Sequence, residues 1–192
     1  MKVLKVLKEV ASWAIHFTVA LLLALTLCLF VLQPTYVEGR SMEGTLQDGD
    51  KVYISKLIHT FRGEAEYADI VIIDSRVHRS RTFTDDLREM LTVNLLTRAL
   101  FKIEAEPHFR IKRVIGKPGD TLQFVEGNVV RNGEVLIEPY LKDPAQYGFL
   151  EPVVVPAGHI FVMGDNRNNS RDSRHIGSIP AGHVIGKYKF NF

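Results

Sequence analysis

The 192-residue sequence contains a single cysteine, Cys28, which lies inside the longest apolar run of the chain. The residues after this run can therefore form no disulfide with one another and supply no thiolate ligand for a metal. The histidines also show no H-x-x-x-H or E-x-x-H spacing, the usual signature of a helical zinc site. We expect neither a disulfide-stapled scaffold nor a metal, and no cofactor.

The chain also lacks an excess of either charge beyond its N-terminus. It has 24 basic and 22 acidic residues, of which three lysines and one glutamate precede residue 33, so 21 of each sign remain. Because nucleic-acid binding depends on a local excess of Lys and Arg, the composition gives no reason to expect a nucleic acid as partner.

From Trp13 to Leu32 no residue carries a formal charge. A helix of about 20 such residues spans the roughly 30 Å hydrocarbon layer of a membrane. The alternatives are a buried core helix and a cleavable secretory signal. The run exceeds the roughly 7–15 residues typical of a secretory signal, and residues 33–36 offer no small-x-small cleavage site. We predict an uncleaved anchor.

The three lysines before the run predict its orientation, because basic residues favour the cytoplasmic side. We therefore expect a cytoplasmic N-terminus at 1–9, a single-pass anchor in the cell membrane at 10–32, and an extracytoplasmic catalytic domain at 33–192. The last segment is long enough to bury one sizeable core without covalent staples.

Beyond the anchor the sequence consists mostly of short apolar or alternating runs bounded by turn residues, which is typical of β-strands. One of these runs is broken by Asn132-Gly133, a strong hairpin signal. The predicted fold is mainly β, a sheet or barrel-like domain tethered by one N-terminal transmembrane helix. The predicted strands lie at 51–55, 69–74, 110–115, 121–125, 129–137, 159–163 and 183–190.

Residues 77–107 break this strand pattern. Asp86 and Glu89 resemble a capping box, and the apolar stripe that follows predicts an amphipathic helix inserted between two strands. The surrounding sequence is basic. The inserted helix could pack on the sheet or rest on anionic lipid beside the anchor, and the sequence leaves both open.

Ser41 lies nine residues after the apolar run, within roughly 30 Å of it even in an extended chain. Its surroundings fail the G-x-S-x-G motif at the last position, and no serine is followed by lysine three residues later. A Ser–His–Asp triad is possible on paper, although a structural role suits each histidine better. The histidines beyond the anchor are His59, His78, His108, His159, His175 and His183.

A lysine is the remaining candidate base for Ser41. The usual lysine pKa of about 10.4 keeps it protonated at neutral pH, so a lysine base must be desolvated. Lys112 is the best candidate, because it lies mid-strand among β-branched residues. With arginines at 110 and 113, however, its spacing alone also fits a solvated basic face.

The segment 164–174 is unusually dense in Asp, Asn, Arg and Ser, directly after an apolar strand. Such residues can lock a backbone through turn-type hydrogen bonds and ion pairs. By itself the segment fits either a rigid structural loop or an active-site loop.

Four segments in this order resemble the conserved boxes of bacterial type I signal peptidases, in the Gram-positive-like single-span form. The match covers the outer domain except residues 77–107, and the last two boxes are long and specific. The boxes are Ser41-Met42-x-x-Thr45-Leu46, Gly49-Asp50, Lys112-Arg113-Val114-Ile115-Gly116-x-Pro118-Gly119-Asp120 and Gly164-Asp165-Asn166-Arg167-x-x-Ser170-x-Asp172-Ser173-Arg174.

The resemblance implies a membrane-bound serine endopeptidase that removes N-terminal signal peptides from exported preproteins after small-x-small motifs. Ser41 would be the nucleophile, and Lys112 would be the general base and then the acid of a Ser–Lys dyad. The Ser170 hydroxyl would orient the lysine amine. Many members have a serine where this chain has Gly39, so the Ser41 N–H would be the principal oxyanion donor.

The resemblance also implies supporting roles. Arg113, Asp165, Asp172 and Arg174 would form ion pairs that brace the site, and Met42 would dip toward the lipid. The expected partners are secretory preproteins, membrane lipid and the nearby protein export machinery.

Gly44 departs from the family pattern, which usually has proline there. Glycine leaves φ free where proline would fix it, so the rigidity of the nucleophile loop needs another source. Two other functions remain open: a specialised processing peptidase for one export or pilus system, and an inactive membrane-tethered paralogue that binds exported chains. A self-cleaving repressor-type Ser–Lys peptidase would need a DNA-binding module where this chain has its anchor.

Overall fold

A computed structural model describes residues 2–57, 63–82, 84, 85, 108–147 and 151–191. These residues form a long helix α1 (Lys2–Phe30), a short helix α2 (Ser173–Ile176) and two 3-10 turns (Arg167–Asn169 and Ala181–His183). The strands, in chain order, are β1 (Leu32–Tyr36), β2 (Lys51–Ser55), β3 (Ile70–Asp74), β4 (Phe109–Gly116), β5 (Thr121–Val125), β6 (Asn128–Arg131), β7 (Glu134–Val135), β8 (Val153–Val154), β9 (His159–Met163), β10 (Ile179–Pro180) and β11 (Val184–Asn191).

The strands form two antiparallel sheets. The larger has the order β1-β2-β11-β3-β4-β9-β10, and the smaller has the order β7-β6-β5-β8. Each predicted strand run corresponds to one or two observed strands, and the hairpin at Asn132-Gly133 joins β6 to β7. The prediction of a mainly β fold is confirmed. The predicted helix within 77–107 falls largely outside the described residues.

Helix α1 is the one helix among the described residues that is long and apolar enough to cross a membrane, with the candidate span at Lys5–Ala24. None of that span is buried against the rest of the protein, and Trp13 and Phe17 are 77% and 72% exposed. The alternative of a buried core helix is therefore excluded, and the side chains of α1 require an apolar environment from elsewhere.

Strand β1 follows the helix almost at once and was not predicted. Helix α1 ends at Phe30 and β1 begins at Leu32, so the predicted end of the anchor at 32 reaches into the sheet. All five residues of β1 pair with β2, and Pro34 is tolerated because β1 is an edge strand. Helix α1 and the larger sheet are thus joined without a flexible linker.

Three apolar clusters form the core. One joins β2, β3 and β11 and includes Val37, Met42 and Leu46. A second lies on the other side of β3 and β4, and Val77, at the start of the predicted insertion, packs against it. The third joins β5, β6 and β9. The connection from β1 to β2, which carries Ser41, is anchored in the first cluster.

Candidate active site

Ser41 lies in a tight turn between β1 and β2. The turn is closed by backbone hydrogen bonds from Thr45 N–H (3.0 Å) and Leu46 N–H (2.9 Å) to the Met42 carbonyl. Met42 and Leu46 are 0% and 1% exposed. The two buried side chains hold the turn against the core, whereas Ser41 is partly exposed.

The expectation that Met42 dips toward lipid is wrong. Its side chain packs in the same cluster as Val52 and Ile54 of β2. A buried Met side chain contributes about 1.5–3 kcal/mol to folding, so Met42 stabilises the turn from below. Contact with lipid would remove that support.

Gly39 opens the turn with a φ of +87°, and its N–H donates to Asp48 Oδ1 at 2.8 Å. This left-handed backbone favours glycine, and the amide is committed to the carboxylate. Among the described residues, no hydrogen bond of the turn uses the Ser41 N–H. That amide therefore remains available for an outside acceptor.

Lys112 reaches Ser41 from the middle of β4. Its Nζ lies 2.6 Å from Ser41 Oγ and donates to the Ile111 carbonyl at 2.7 Å. Although Lys112 was also compatible with a solvated basic face, the residue is only 1% exposed. The structure therefore brings the two predicted catalytic residues into hydrogen-bond contact and removes the amine from water.

Burial lowers the pKa of Lys112 to about 8. The charges of Asp172 and Asp165 act in the opposite direction, whereas those of Arg110 and Arg174 lower the pKa further. Desolvation dominates because the charged ammonium loses its hydration in the protein interior. A lysine with this pKa is partly neutral near neutral pH and can accept a proton from a hydroxyl.

Arg113, the next residue along β4, forms a buried ion pair with Asp165. Its Nε and Nη2 donate to the two carboxylate oxygens at 2.8 and 2.6 Å. Thr45 joins the pair: its hydroxyl donates to Asp165 at 2.6 Å and accepts from Arg113 at 3.0 Å. This bidentate pair links three segments: β4, the loop after β9, and residues 39–46, the turn that carries the predicted nucleophile Ser41. We call this last segment the nucleophile turn.

Asp172 and Arg174 form a second ion pair beside the site, with Nε and Nη2 of the arginine 2.8 Å from the carboxylate. Burial alone would raise the pKa of Asp172, but the Arg174 guanidinium and the Gly164 N–H hold it below its usual value. Asp172 thus stays ionised and fixes the loop 164–174. Both predicted ion pairs are therefore present.

Gly164 is where the loop touches the nucleophile turn, and the sequence reasoning gave it no role. A Cβ at this position would overlap the Ser41 carbonyl and the Ser170 side chain. The next residues add direct bonds, because Asn166 N–H donates to the Ser41 carbonyl and Asn166 Nδ2 donates to the Arg40 carbonyl, both at 3.1 Å. In the sequence, the only signal for this contact was a glycine at the start of a polar segment that directly follows an apolar strand.

Ser170 lies in this contact but does not bond to Lys112. Its Oγ is buried, and its contact with Asp172 helps to hold the pKa of that carboxylate below its usual value. Gly164 contacts both the Ser170 side chain and the Ser41 carbonyl, so Ser170 lies beside the predicted nucleophile. The predicted orientation of the lysine amine is not seen.

Gly44 has a φ of +116°, which a proline cannot adopt. A Cβ at this position would lie 2.6 Å from the Tyr140 carbonyl oxygen and 3.1 Å from the Lys142 nitrogen. The nucleophile turn is therefore held by a close approach of another segment rather than by a proline ring.

The described residues contain no group of three or more His, Cys, Asp or Glu side chains that could hold a metal ion. The groups in contact at the site are a hydroxyl, an amine and two carboxylate–guanidinium pairs. On a β framework, a serine hydroxyl in contact with a buried amine fits the active site of a hydrolase.

Comparisons with known proteins agree with this class. A family model described as signal peptidase, peptidase S26, matches residues 10–192. Signal peptidase I T of Bacillus subtilis (strain 168) is 35% identical over 191 residues, which cover 94% of this chain and 84% of the relative. Signal peptidase I of Bacillus amyloliquefaciens is also 35% identical, over 194 residues with the same two coverages. Probable signal peptidase I-1 of Synechocystis sp. is 38% identical over 174 residues, 91% of this chain and 78% of the relative.

The chain belongs to the signal peptidase family, peptidase S26. As a signal peptidase I enzyme it cleaves signal peptides from preproteins. The family expected from the sequence boxes is thereby confirmed.

Proposed function

We propose that the enzyme cleaves by a Ser–Lys dyad, with Ser41 as nucleophile and Lys112 as general base. The observation that carries this proposal is the 2.6 Å contact between Nζ and Oγ of a lysine that is 1% exposed. The neutral amine would take the hydroxyl proton as Oγ attacks the scissile carbonyl. The ammonium would then return that proton to the leaving amine.

The Ser41 N–H would stabilise the oxyanion that forms in the attack. Loss of one such donor typically costs about 2.7–4 kcal/mol in the transition state, so the peptide must be held firmly. The bonds from Asn166 to the carbonyls of Ser41 and Arg40 support this orientation. Gly39 would contribute through its left-handed backbone, which shapes the turn, because its own N–H is used by Asp48.

Ser170 would assist by orienting Lys112 during turnover. Its buried Oγ lies against Gly164, which also contacts the Ser41 carbonyl, and it interacts with the Asp172 carboxylate. The hydroxyl would act by accepting a hydrogen bond from the lysine amine during turnover.

The substrate would bind as an extended strand beside β4. Residues 109–113 pair with β3 on one side, whereas the ladder with β9 begins only at Arg113. The edge at 110–112 is therefore free of β9, and it faces the segment 38–41 that carries the nucleophile. Strand addition at this edge would present a small-x-small segment to shallow pockets.

Placement at a membrane would bring the site to its substrate. Helix α1 fits an anchor, and its N-terminal lysines favour a cytoplasmic N-terminus with the domain 33–192 outside. A signal peptide embedded in the same bilayer would emerge close to Ser41. Membrane lipid and the export machinery would then be neighbours of the enzyme.

The test is cleavage of a purified preprotein whose signal ends in Ala-x-Ala, with the products identified by mass spectrometry. Wild-type enzyme should cut after the second alanine. Ser41→Ala and Lys112→Met should each lower the rate by at least about 10³-fold, because nucleophile and base act as a unit. A preprotein with Leu in place of the second Ala should remain uncut.

Two outcomes would refute parts of the proposal separately. Cleavage that survives both substitutions removes the dyad. Equal rates for Ala and Leu substrates remove the small-residue specificity while leaving the dyad intact.

A further inference from the structure

We propose that residues 138–147, the strap, hold the nucleophile turn in register with the loop 164–174, and that Tyr140 is the positioning residue of this strap. The strap connects β7 to β8 and carries none of the family boxes. This inference rests on the proposed dyad, because it concerns how Ser41 and Lys112 are kept in place.

The first contact of the strap is with the nucleophile turn. The Tyr140 carbonyl oxygen occupies the space that a Cβ on Gly44 would need, at 2.6 Å. Lys142 Nζ forms an ion pair with Glu43 Oε2 at 2.5 Å. The strap therefore touches two consecutive residues of the turn, three positions or fewer from Ser41. Glycine in place of the usual proline is what permits this approach.

The second contact is with the buried ion pair beside Lys112. The Arg113 guanidinium carbon lies 3.9 Å from the centre of the Tyr140 ring. Stacking of this kind is favourable and excludes water from the guanidinium. Arg113 then holds Asp165 and Thr45. The ring of Tyr140 thus covers the junction of β4, the turn and the loop.

The third contact ties the strap to the loop that carries Ser170. Glu138 accepts from Arg167 Nη1 and Nη2 at 2.9 and 2.5 Å, and both side chains are almost fully buried. Arg167 Nε donates to the Gly164 carbonyl at 3.0 Å. The Tyr140 hydroxyl donates to the same Glu138 at 2.7 Å. The strap therefore holds both the nucleophile turn and the loop 164–174 through one network of hydrogen bonds and ion pairs.

The far end of the strap is held in the same way. Ala145 is buried, and its carbonyl oxygen would lie 2.7 Å from a Cβ on Gly127. Asn168 of the loop accepts from Gln146 N–H at 2.8 Å and donates to the Pro144 carbonyl at 3.0 Å. With both ends fixed, displacement of Tyr140 would shift the turn relative to β4.

A positioning role predicts a loss of turnover without a loss of substrate binding. Tyr140→Ala should lower kcat at least tenfold on an Ala-x-Ala peptide and change KM less than twofold. Tyr140→Phe keeps the ring over Arg113 and should retain at least half of the wild-type kcat. Gly44→Ala should lower kcat as Tyr140→Ala does, because its Cβ would push against the Tyr140 carbonyl.

Two matched controls separate positioning from general stability. The Tyr67 ring stacks on Arg131 at 3.8 Å and its hydroxyl donates to Asp120, so Tyr67→Ala should lower the thermal midpoint but leave kcat within twofold of wild type. Gly49 has a φ of +87° and no neighbour within 4 Å of a Cβ. Gly49→Ala therefore carries backbone strain without a collision and should leave kcat within about threefold of wild type.

The proposal is overturned if Tyr140→Ala keeps the wild-type kcat, if Tyr67→Ala loses as much, or if Phe fails to rescue. Should Tyr140→Ala not fold, the Gly44→Ala and Gly49→Ala pair decides, and equal kcat values for the two refute it. The same assay includes the wild-type and Ser41→Ala enzymes as references. If the proposed dyad is wrong, Ser41→Ala will keep its activity, whatever the strap variants show.

Discussion

In the proposed dyad, the Lys112 amine would set the pH dependence of cleavage. Burial lowers its pKa to about 8. The two carboxylates that would raise the pKa, Asp165 and Asp172, are each already paired with an arginine. Arg110, two residues earlier on β4, adds the repulsion of a like charge. The pKa of Lys112, and with it the activity at a given pH, should therefore depend on both the desolvation of the amine and the charge of Arg110.

We expect the cleavage rate to rise with pH around a midpoint near 8. Only neutral Lys112 can accept the Ser41 proton, and the neutral fraction grows as pH passes upward through the pKa, from about one tenth at pH 7. Arg110→Gln should move the midpoint to higher pH and lower the rate at pH 7 by roughly threefold. The measurement is kcat/KM from about pH 6 to about pH 10.

Arg110→Lys is the matched control, because it keeps the positive charge on the same strand face. Its midpoint should stay with the wild type. If Arg110→Gln leaves the midpoint unmoved, the like charge has no part in activating Lys112, and desolvation acts alone.

Single residues differ in how far the sequence revealed them. Motif and order predicted Ser41 and Lys112 as a pair, although spacing alone favoured a solvated basic face for Lys112. Met42 was misassigned to the lipid, since nothing in a local pattern says which way an apolar side chain in a turn points. Its burial follows from the packing of β2 beneath the turn.

At the scale of elements, the contact between the loop after β9 and the nucleophile turn determines the geometry of the dyad. Gly164 directly follows β9 and lies against the Ser41 carbonyl, a backbone group that cannot rotate away as a side chain can. Asn166 reinforces the contact with hydrogen bonds. The turn and the loop therefore approach each other so closely at residue 164 that no side chain larger than that of glycine fits between them.

Gly164→Ala should push the nucleophile turn away from the loop. Overpacking of this kind costs about 1–3 kcal/mol of stability, and a displacement of the nucleophile by about 1 Å can cost on the order of 100-fold in rate. We expect a lower thermal midpoint and a kcat reduced by at least about tenfold, measured by thermal unfolding and peptide cleavage.

Gly182→Ala provides the comparison, because a Cβ at Gly182 meets nothing within 4 Å and its φ is not in the left-handed region. This variant should match the wild type in both assays. Equal behaviour of the two alanine variants would show that the Gly164 contact is not tight in solution.

At the scale of the whole molecule, helix α1 and the β domain are joined without a linker. Helix α1 ends at Phe30, and β1 supplies the edge strand next to β2. Gln33 and Thr35 of this strand are 1% and 6% exposed. Strand β1 is thus part of the domain fold, and the position of Ser41 relative to the helix end is fixed by the sheet.

Two truncations should separate the anchor from the fold. A chain beginning at residue 31 keeps β1 and should fold and cleave a soluble peptide. A chain beginning at residue 37 loses β1, which exposes the edge of β2, and should aggregate or unfold. Circular dichroism and peptide cleavage would test both, and equal folding of the two chains would contradict the assigned role of β1.

The sequence by itself determined the features that depend on local pattern and residue identity. The apolar run specified a membrane-length helix, alternation and turn residues specified most of the strands, and the ordered boxes specified the family. Strand β1 escaped this reading because Leu32 to Tyr36 continues from the apolar run and contains a proline. Only its pairing with β2 makes it a strand.

The tertiary structure alone decided how the site is assembled. The contact between Lys112 and Ser41 joins residues 71 positions apart, and that between Thr45 and Asp165 spans 120 positions. The burial that lowers the lysine pKa, the inward direction of Met42 and the approach of Tyr140 to Gly44 likewise arise between distant segments. No local periodicity encodes such contacts, because they exist only once the sheet has brought the segments together.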